Sequence, residues 1–515
     1  MTASPHHPQR TTLLKDRPVE PLTGHVDVLI VGAGISGIGL GHYLVNRLPG
    51  KTFAIVDSRD AIGGTWDLFR YPGIRSDSDL HTFGYEFKPW TSDNAIADAD
   101  EILKYLHEAI DEDGLARRIH LHHKVLRADF ASETARWTVT LERDGKSWEV
   151  TCDFLFAATG YYDYTAGYTP HFEGREDFEG VVVHPQAWPA DLDYAGKKVV
   201  VIGSGATAVT LIPAMASTAA HITMLQRSPS YVMPLPRKDP IANGLRKLLP
   251  EKAAYAAARR FNIGKQRFIY NLCQRRPRLA RRLIRAINVK ALPEGYDVDT
   301  HFNPAYNPWD QRMCAVPDAD LFRAIGQGKA SVVTDRIVRF TKNGILLESG
   351  RELAADIIVT ATGLQLLAFG GITLSVDGTP VDLAGCLAYK GLMLSGVPNF
   401  AFAIGYTNSS WTLKVDLVCD HLCRLLAYLD QHGFTSVVPV ADDPAVQRRP
   451  LLDFSAGYVL RSMDGFPKQG SSGPWTIAMD YWSDFERLRK GPVEDAALRF
   501  ATADRASARA GAAAG

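Results

Sequence analysis

The chain has 515 residues, more than one hydrophobic core usually supports, so two or three domains are expected. Its composition, 46 % hydrophobic and 22 % charged, is that of an ordinary globular protein. The formal net charge is zero, which excludes a general attraction for nucleic acid, and the six cysteines lack the spacing of a metal site. We therefore expect neither a nucleic-acid partner nor a bound metal.

The two ends of the chain differ from the rest in composition. Residues 1–24 and 503–515 are polar or small, and we expect both tails to be disordered. The first tail lacks the apolar core of a signal peptide, and the apolar run 26–40 is broken by glycines and too short to span a bilayer. These features predict a cytoplasmic protein.

The first predicted element is a strand at residues 26–31, which leads into a glycine-rich turn and a helix. The glycines of this turn, Gly32, Gly34 and Gly37, would let the backbone approach a pyrophosphate at the helix N-terminus. The next strand ends in Asp57, and an acid there accepts hydrogen bonds from a ribose and repels a 2′-phosphate. This unit therefore predicts binding of FAD or NAD rather than NADP.

A second motif follows at residues 63–77, GGTWDLFRYPGIRSD. We expect Gly64, Thr65 and Trp66 to contact the first nucleotide. No cysteine occurs before Cys152, which excludes the flavin–disulfide relay of pyridine-nucleotide disulfide reductases. Asp77 closes the motif, either as a functional carboxylate that contacts the cofactor or as the cap of a turn.

The chain repeats this organisation once. Residues 117–160 alternate as an antiparallel meander that ends in Ala-Thr-Gly at 158–160, and Val125 within it is a further predicted cofactor contact. Residues 331–363 rebuild the meander and end in the same three residues at 361–363. Two copies of one dinucleotide-binding module are therefore predicted.

The second glycine-rich loop follows a predicted strand at residues 197–202. The next strand of this module ends in Arg227 instead of an acid, and its guanidinium could bind a 2′-phosphate. The second module therefore predicts NADPH. Its predicted contacts are Gly203, Ser204, Gly205, Thr207, Ala208, Arg227 and Ser228.

Between the two loops lies the stretch FEGVVVHPQAWP, a short valine strand closed by a His-Pro step. By itself it indicates a structural connector in which His184 is a satisfied loop histidine. Its position between two nucleotide loops favours a functional role. The residues concerned are Phe178, Gly180, His184, Trp188 and Pro189.

An insertion at residues 233–330 separates the second loop from its meander. Residues 237–290 contain 16 Lys and Arg against two acids, beside an apolar stripe at helical spacing. Such a basic amphipathic surface could lie on an anionic membrane. We favour instead a helical subdomain that packs its stripe on the nucleotide domains. The stripe consists of Phe268, Ile269, Leu272, Leu279, Leu283 and Ile287.

Two later segments carry further candidates. The insertion closes with NPWDQRMC, in which Arg312 is either a functional cation or a salt-bridged structural arginine. After residue 391 the chain is predicted to return to the first domain, with a strand at 400–404 and a long helix from about Thr412. Residues 408–411, which include Trp411, would then line the pocket at the start of that helix.

These motifs together resemble a known family. Residues 178–189 fit FxGxxxHxxxW[PD] and residues 63–77 fit [AG]GxWxxxx[FY]P[GM]xxxD, the two patterns of the type I Baeyer–Villiger monooxygenases. With NPWDQRMC and AYKGLMLSGVPNFAFAIGYTNSSWTLK, the chain looks very like their ethionamide-activating group, over about residues 26–500. The resemblance implies an α/β fold with two Rossmann-like domains, one for FAD and one for NADPH, and a helical insertion.

The resemblance also implies a reaction. NADPH reduces FAD, O2 adds at flavin C4a, and the resulting peroxide converts a ketone to an ester or lactone, or a sulfide to a sulfoxide. Arg312 is the implied cation over the flavin, and Asp77 the carboxylate that holds it by a bidentate pair. Gln311 departs from the family pattern, which has Lys there, and this puts one NADPH-contacting charge in doubt.

Two other functions stay open at this point. One is a flavin-containing N- or S-monooxygenase without Baeyer–Villiger activity, and the other is a non-catalytic flavoprotein that senses NADPH. The predicted domains place FAD binding at 25–160 and 391–502, NADPH binding at 161–232 and 331–390, and the insertion at 233–330.

Overall fold

The structure, a computed structural model, describes residues 21–452 and 456–503. The tails predicted to be disordered therefore lie outside the described residues, apart from 21–24 and 503. At Leu22 the prediction is wrong, because this side chain is buried in the core. Its amide donates to Nε2 of His123 (3.1 Å), and its carbonyl accepts from Nε1 of Trp148 (2.7 Å). Ordered packing thus begins before the first strand.

The first module is built on a parallel strand buried along most of its length. This strand, β1, lies between β2 and β6, and β4, β5 and β6 form the predicted antiparallel meander. The elements are β1 (His25–Val31), α1 (Ile35–Arg47), β2 (Phe53–Val56), α2 (Thr65–Leu68), α3 (Leu80–Phe83), α4 (Ala99–Glu112), β3 (Ile119–His120), β4 (Lys124–Ala131), β5 (Arg136–Arg143) and β6 (Lys146–Ala157).

The second module begins with β7 (Val181–Val183), β8 (Lys198–Ile202), α5 (Ala206–Met215), β9 (His221–Gln226) and β10 (Val232–Leu235). The insertion follows as α6 (Pro240–Leu248), α7 (Glu251–Arg275), α8 (Pro277–Ala291) and α9 (Val298–Phe302), and β11 (Cys314–Pro317) then pairs in parallel with β10. The module resumes with α10 (Asp320–Gly326), β12 (Ala330–Thr334), β13 (Ile337–Thr341), β14 (Gly344–Leu347), β15 (Glu352–Ala354) and β16 (Ile357–Thr360).

The second sheet is parallel, with strand order β12-β9-β8-β16-β7, and β13 to β15 form a separate antiparallel ribbon. The first and second sheets thus repeat the doubly wound pattern of a nucleotide-binding module. The predicted α/β fold with two Rossmann-like domains is confirmed.

The chain returns to the first sheet earlier than predicted. Its remaining elements are β17 (Thr373–Val376), β18 (Thr379–Pro380), β19 (Ala388–Tyr389), β20 (Met393–Leu394), β21 (Phe400–Phe402), α11 (Trp411–His432), β22 (Ser436–Pro439), β23 (Arg448–Pro450), α12 (Gly457–Leu460), β24 (Lys468–Gly470), α13 (Tyr481–Asp484) and β25 (Leu498–Ala501). Because β17 pairs with β4 of the first sheet, the crossing precedes residue 373 and the predicted boundary at 391 is too late.

Helix α7 is fixed to the first module by one buried arginine. Nη1 of Arg259 donates to the carbonyls of His81, Thr82 and Gly84, and Nη2 donates to Asp416 of α11 (2.8 Å). Both members of this ion pair are almost fully buried. Removing one partner of such a pair leaves an uncompensated buried charge. The insertion is therefore firmly attached along this side of α7.

The apolar stripe of the insertion does not pack as predicted. Phe268 is 68 % exposed, and Leu279, Leu283 and Ile287 are each more than 40 % exposed. The buried faces of α7 and α8 consist instead of small or polar side chains, such as Ala258 and Asn262, and of a few aliphatic ones. The prediction that the stripe covers the nucleotide domains is wrong for these four residues. In the described part of the chain no helix is long and apolar enough to cross a membrane.

Candidate active site between the two nucleotide loops

Two glycines of the first loop, Gly32 and Gly37, leave no room for a side chain. Gly32 has φ +113°, and a Cβ there would lie 2.5 Å from the carbonyl oxygen of Ala158. A Cβ at Gly37 would lie 1.9 Å from the carbonyl oxygen of Gly32. Gly34 is the N-cap of α1. The backbone therefore forms a cradle at a helix N-terminus, which fits the pyrophosphate of FAD.

Asp57 lies beside this cradle, directly after β2. Its carboxylate accepts hydrogen bonds from the amides of Ala33 (2.8 Å) and Arg59 (3.0 Å). Burial raises the pKa of Asp57, and these hydrogen bonds oppose the rise. Each oxygen keeps a lone pair for a ribose hydroxyl, as the predicted role requires. Val125 is buried in β4 and belongs to the same core cluster as Val31 and Val56.

Residues 63–66 pack against the first loop. The amide of Gly63 donates to the carbonyl of Ala33 (3.0 Å), and a Cβ on Gly64 would lie 3.4 Å from Cα of Gly34. Thr65 shares a hydrogen bond with Tyr164, and the ring of Trp66 packs on Phe83 with 5.5 Å between centroids. The structure thus brings Gly64, Thr65 and Trp66 to the edge of the predicted FAD cradle.

The helix that closes the first module begins beside the same loop. Nε1 of Trp411, the first residue of α11, donates to Oγ of Ser36 in α1 (2.9 Å). The side chain of Asn408 donates to the carbonyl of Met479 (2.8 Å), and its Oδ1 is buried without a partner among the described residues. The start of α11 therefore lies beside the first loop, and a flavin contact of residues 408–411 stays a prediction.

The second loop has the same turn with more open surroundings. Gly203 has φ +130°, and a Cβ there would lie 2.3 Å from the carbonyl oxygen of Ala361. A Cβ on Gly205, the N-cap of α5, meets no atom within 4 Å. Ser204 contacts Ser230 through their hydroxyls (2.8 Å). Ala208 is fully buried and takes the place that Gly37 has in the first loop.

The end of β9 explains how the second module can accept a phosphate. Gln226 is turned inward, where its amide donates to the carbonyl of His301 (2.9 Å) and to Thr334 (2.8 Å). Arg227 and Ser228 are exposed, and Arg227 forms no ion pair with any acid in the described ranges. The guanidinium is therefore free for a 2′-phosphate, which fits NADPH.

The fingerprint stretch joins the parts of the second module. Nε2 of His184 donates to the carbonyl of Gly363 (3.2 Å), and Nδ1 accepts from the amide of Gln186 (3.1 Å). Burial lowers the pKa of His184, so the ring is neutral. This pattern agrees with the structural-connector alternative. Phe178 is buried, and Trp188, which Pro189 follows, packs on the hydrophobic core around β8 and α5 of the second module.

Gly180 of the same stretch has a steric role. A Cβ on this residue would lie 2.4 Å from the carbonyl oxygen of Asp356 and 2.4 Å from the ring of Phe178. Only glycine fits between the ring and the chain that leads into β16. The strand β7 can therefore join the edge of the parallel sheet.

The segment that carries Asp77 is fastened to the second module. Tyr71 shares a hydrogen bond with Thr207, and burial raises the pKa of Tyr71 to about 12. Arg75 forms an ion pair with Asp320 of α10. Asp77 is thus held by a loop of the first module that is attached to the second.

Arg312 meets Asp77 where the first and second modules are in contact. It precedes β11, which the amide of Cys314 ties to the carbonyl of Tyr231 (2.8 Å). Nη1 of Arg312 lies 3.4 Å from Oδ2 of Asp77. The carboxylate raises the pKa of Arg312 well above its ordinary value. The two residues are brought together, but through a single contact, so the expected bidentate geometry is wrong.

Three tyrosines that the sequence patterns did not indicate surround this pair. The rings of Tyr161 and Tyr162 lie 4.6 Å apart, and Tyr161 also packs on Trp411 (5.2 Å). Burial raises the pKa values of Tyr161 and Tyr458, and that of Tyr162 to about 12. All three therefore stay protonated at neutral pH. The one available signal was the Tyr-Tyr pair directly after the Ala-Thr-Gly segment at 158–160.

A cavity of about 340 Å³ opens in front of the ion pair. Its walls come from β10, α6, α7, residues 309–315 and residues 407–409. Most lining side chains are apolar, including Met233, Leu235, Phe261, Ile269, Trp309 and Met313. Asp77 and Arg312 are two of its six charged side chains, and a mainly apolar lining with placed polar groups is the pattern of a substrate pocket.

The cavity floor links α7 to both flanking loops. Gln266 accepts from the hydroxyl of Ser409 (2.7 Å) and donates to Asp79 (2.8 Å). Nε1 of Trp309 is buried without a partner among the described residues. An unpaired indole N–H costs free energy, so it favours an acceptor on a bound molecule.

Comparison with known proteins shows which family this chain matches. Residues 89–376 match the flavin-binding monooxygenase-like family, and residues 30–93 match an NAD(P)-binding Rossmann-like domain. The chain is 54 % identical over 481 residues to the FAD-containing monooxygenase EthA of Mycobacterium tuberculosis. This alignment covers 93 % of the chain and 98 % of EthA. The chain is 47 % identical over 482 residues to the probable FAD-binding monooxygenase AlmA of Acinetobacter baylyi, covering 92 % and 96 %.

Solved structures agree on the fold. An oxidized steroid monooxygenase bound to NADP superposes with a TM-score of 0.75 at 23 % identity, over 93 % of this chain and 99 % of the other. An open cyclohexanone monooxygenase superposes with a TM-score of 0.68 at 22 % identity, over 82 % and 91 %. At these identities the likeness shows the fold alone.

Proposed function

The chain belongs to the flavin-binding monooxygenase-like family, and we propose that it acts as an FAD-containing, NADPH-dependent monooxygenase of the Baeyer–Villiger type. This agrees with the resemblance to the type I enzymes near the ethionamide-activating group. The observation that carries the proposal is the Arg312–Asp77 pair, which stands between the two loops at the wall of an apolar cavity.

The residues present fit both nucleotides. Bound FAD supplies the chemistry that activates O2, and NADPH supplies the electrons. The cradle at Gly32 and the acceptor at Asp57 suit an FAD without a 2′-phosphate. The open loop at Gly205 and the free Arg227 suit NADPH. Each loop therefore selects its own cofactor.

Arg312 supplies a fixed positive charge where negative charge develops on oxygen during transfer. Its guanidinium is protonated at all accessible pH values. Asp77 holds it from one side, and the buried tyrosines beside it lose no proton at neutral pH. A preorganised charge of this kind costs no reorganisation at the moment of reaction. Arg312 is the proposed catalytic residue and Asp77 its positioning residue.

The cavity explains the substrate class. Its apolar side chains accept carbon chains, and a bound apolar substrate would displace water that competes for the activated oxygen. Arg312 favours attack on a carbonyl, because the charge that builds on oxygen is then stabilised. We therefore propose ketones as the main substrates and sulfides as secondary ones. A flavin-containing N/S-monooxygenase is the alternative, and it would not need Arg312.

A product screen tests this proposal. Purified enzyme with NADPH and O2 is incubated with a panel of ketones, sulfides and amines, and the products are identified by mass spectrometry. We expect esters or lactones from ketones and sulfoxides from sulfides. Oxidised amines and sulfides without any ester would favour the alternative. NADPH consumption that yields only hydrogen peroxide would contradict both.

We also propose peripheral contact of the insertion with an anionic membrane. Ten of the 16 cations in residues 237–290 form no ion pair with any acid in residues 21–452 or 456–503. They are Lys247, Lys252, Arg260, Lys265, Arg275, Arg276, Arg278, Arg281, Arg282 and Lys290. Clustered cations of this kind attract acidic lipid headgroups. The contact is tested by sedimentation of the protein with anionic vesicles at low salt, and by its release from them when salt is added.

A further inference from the structure

The entrance of the cavity lies between α6 and α7. Ile241 of α6 and Phe261 of α7 both line the cavity, and both are about half exposed. Lys265 lies one turn after Phe261 and lines the cavity as well. Arg312 lines the same cavity. The cavity that contains the proposed catalytic residue is therefore bordered by half-exposed side chains of the insertion.

The surface around this entrance is apolar where solvent would favour polar groups. Leu248 is 81 % exposed and lies two turns after Ile241 on α6. Phe268 is 68 % exposed and lies two turns after Phe261 on α7. Residues two turns apart share one face of a helix, so each helix presents an apolar pair. We call Ile241, Leu248, Phe261 and Phe268 the entrance face.

Cations that form no ion pair within the described part of the chain flank the entrance face. Lys247 precedes Leu248, and Lys265 lies between Phe261 and Phe268. Residues 237–290 have a net charge of +14 in a chain whose total is zero. Several other cations of the insertion are already used within the protein, such as Arg267 with Asp480. The excess positive charge thus coincides with the exposed apolar side chains.

An anionic bilayer matches this combination. Burial of the Leu and Phe side chains in the apolar phase is favourable, and each cation near an acidic lipid surface adds electrostatic attraction. A nucleic acid would use the cations and leave the four apolar side chains exposed. Long amphipathic helices with Lys on the polar side and Leu or Phe on the other are typical of interfacial binding. Charge complementarity therefore favours lipid as the occupant.

We infer that the entrance face docks on an anionic membrane, and that substrates pass from the apolar phase directly into the cavity between Ile241 and Phe261. This inference rests on the proposed function, because it assigns the substrate class of the same cavity. The substrates are compounds that partition into a bilayer, with an apolar chain that carries the ketone or sulfide. Water-soluble ketones of low mass use the same cavity without the membrane.

Binding is tested with vesicles of phosphatidylglycerol and vesicles of phosphatidylcholine. The wild-type enzyme should sediment with the first at low salt and stay in solution with the second. The double variant Leu248→Gln/Phe268→Gln should sediment at least tenfold less. The matched control is Val338→Gln, since Val338 is 48 % exposed on β13, outside the insertion, and it should behave like the wild type.

Uptake is tested by activity in the same preparations. Two probes are used, cyclohexanone in solution and a long-chain methyl ketone dissolved in phosphatidylglycerol vesicles. The double variant should keep wild-type activity on cyclohexanone and lose at least tenfold on the vesicle-borne ketone. Equal activity of both enzymes on the vesicle-borne ketone would overturn the inference.

Other outcomes distinguish a failure of the membrane inference from a failure of the proposed function. Equal sedimentation with both lipids, or none, would remove the anionic membrane as the occupant. A dimer that the double variant dissociates would place a second copy of the chain on the entrance face, and would also overturn the inference. If the wild type oxidises neither ketone although its flavin is reduced by NADPH, the proposed function itself fails.

Discussion

The two glycine-rich loops share one turn but differ in how tightly they are enclosed. Gly32 and Gly203 both have positive φ and both approach a carbonyl oxygen of the Ala-Thr-Gly segment. The third position differs, because a Cβ on Gly37 would lie 1.9 Å from the backbone, whereas Ala208 already carries one. The first loop is a closed cradle, and the second is open at Gly205.

This difference separates two duties. A closed cradle with further contacts from Gly64 and Trp411 suits a cofactor that stays bound through many turnovers. An open loop with an exposed arginine suits a cofactor that must enter and leave. The ion pair of Arg312 and Asp77 belongs to neither loop, and forms only where the modules meet.

The strongest test of the comparison replaces the third residue of each loop. We expect Gly37→Ala to yield no FAD-loaded enzyme, because the new Cβ would meet backbone that cannot move aside. Ala208→Gly should fold and bind FAD, at a cost of about 1 kcal/mol from helix propensity. Flavin absorbance after purification and thermal melting measure both. A Gly37→Ala enzyme with normal flavin content would contradict the closed cradle.

The second test separates the loops from the pair between them. Arg312→Ala should still be reduced by NADPH, since both loops are intact, and should lose about 10²–10³ in ester formation, with electrons leaving as hydrogen peroxide. Arg312→Lys should restore little, because an ammonium cannot reproduce the planar guanidinium. Anaerobic stopped-flow reduction and product analysis measure the two steps.

Sulfoxidation provides the internal control for this variant. A sulfide needs no stabilised negative charge on a carbonyl oxygen, so its oxidation should suffer less than ester formation. Ester yields near the wild-type level in Arg312→Ala would remove Arg312 from the mechanism. A slower reduction step would show instead that the substitution disturbs the NADPH site.

The third test concerns the selectivity of the open loop. Arg227→Ala should weaken NADPH binding by roughly tenfold or more and leave NADH nearly unchanged, because a charge-assisted contact to phosphate contributes about 1.5–3 kcal/mol. Steady-state KM values for both coenzymes measure this. Arg336, exposed and paired with Glu348, provides the matched control as Arg336→Ala. A wild-type enzyme that uses NADH as well as NADPH would contradict the assignment of Arg227.

Local sequence patterns were enough to predict the two glycine-rich loops. Features that depend on contacts between residues far apart in the sequence could not be predicted in the same way. The strands and turns around Gly32 and Gly203 follow from short hydrophobic runs and from glycines with positive φ, so the sequence revealed them. The exposed position of Phe268 could not be predicted, because an apolar stripe has the same sequence pattern whether it faces a core or solvent. Family patterns indicated that Arg312 and Asp77 meet, but the single contact depends on the loop fixed by Tyr71 and Thr207.

The smallest effect concerns the turn at residues 361–363, which the fingerprint histidine ties from outside. In the first module the equivalent turn is bonded by its own sheet, through the amide of Ala158 and the carbonyl of Val31 (2.8 Å). In the second, His184 donates to Gly363 and accepts from Gln186. His184→Leu should therefore cost about 1 kcal/mol of unfolding free energy and leave flavin content unchanged.

The pH dependence distinguishes this role from a catalytic one. Burial lowers the pKa of His184 below its ordinary value of 6.5, so the folded state binds this proton less readily than the unfolded state. Its contribution to stability is then complete above pH 6.5 and is lost as the pH falls from there toward the folded pKa. His184→Leu should flatten the acid side of the melting-temperature profile, whereas His171→Leu, at an exposed histidine nearby, should not. An unchanged profile in His184→Leu, with reduced turnover, would show that the histidine acts in the reaction and not in the turn.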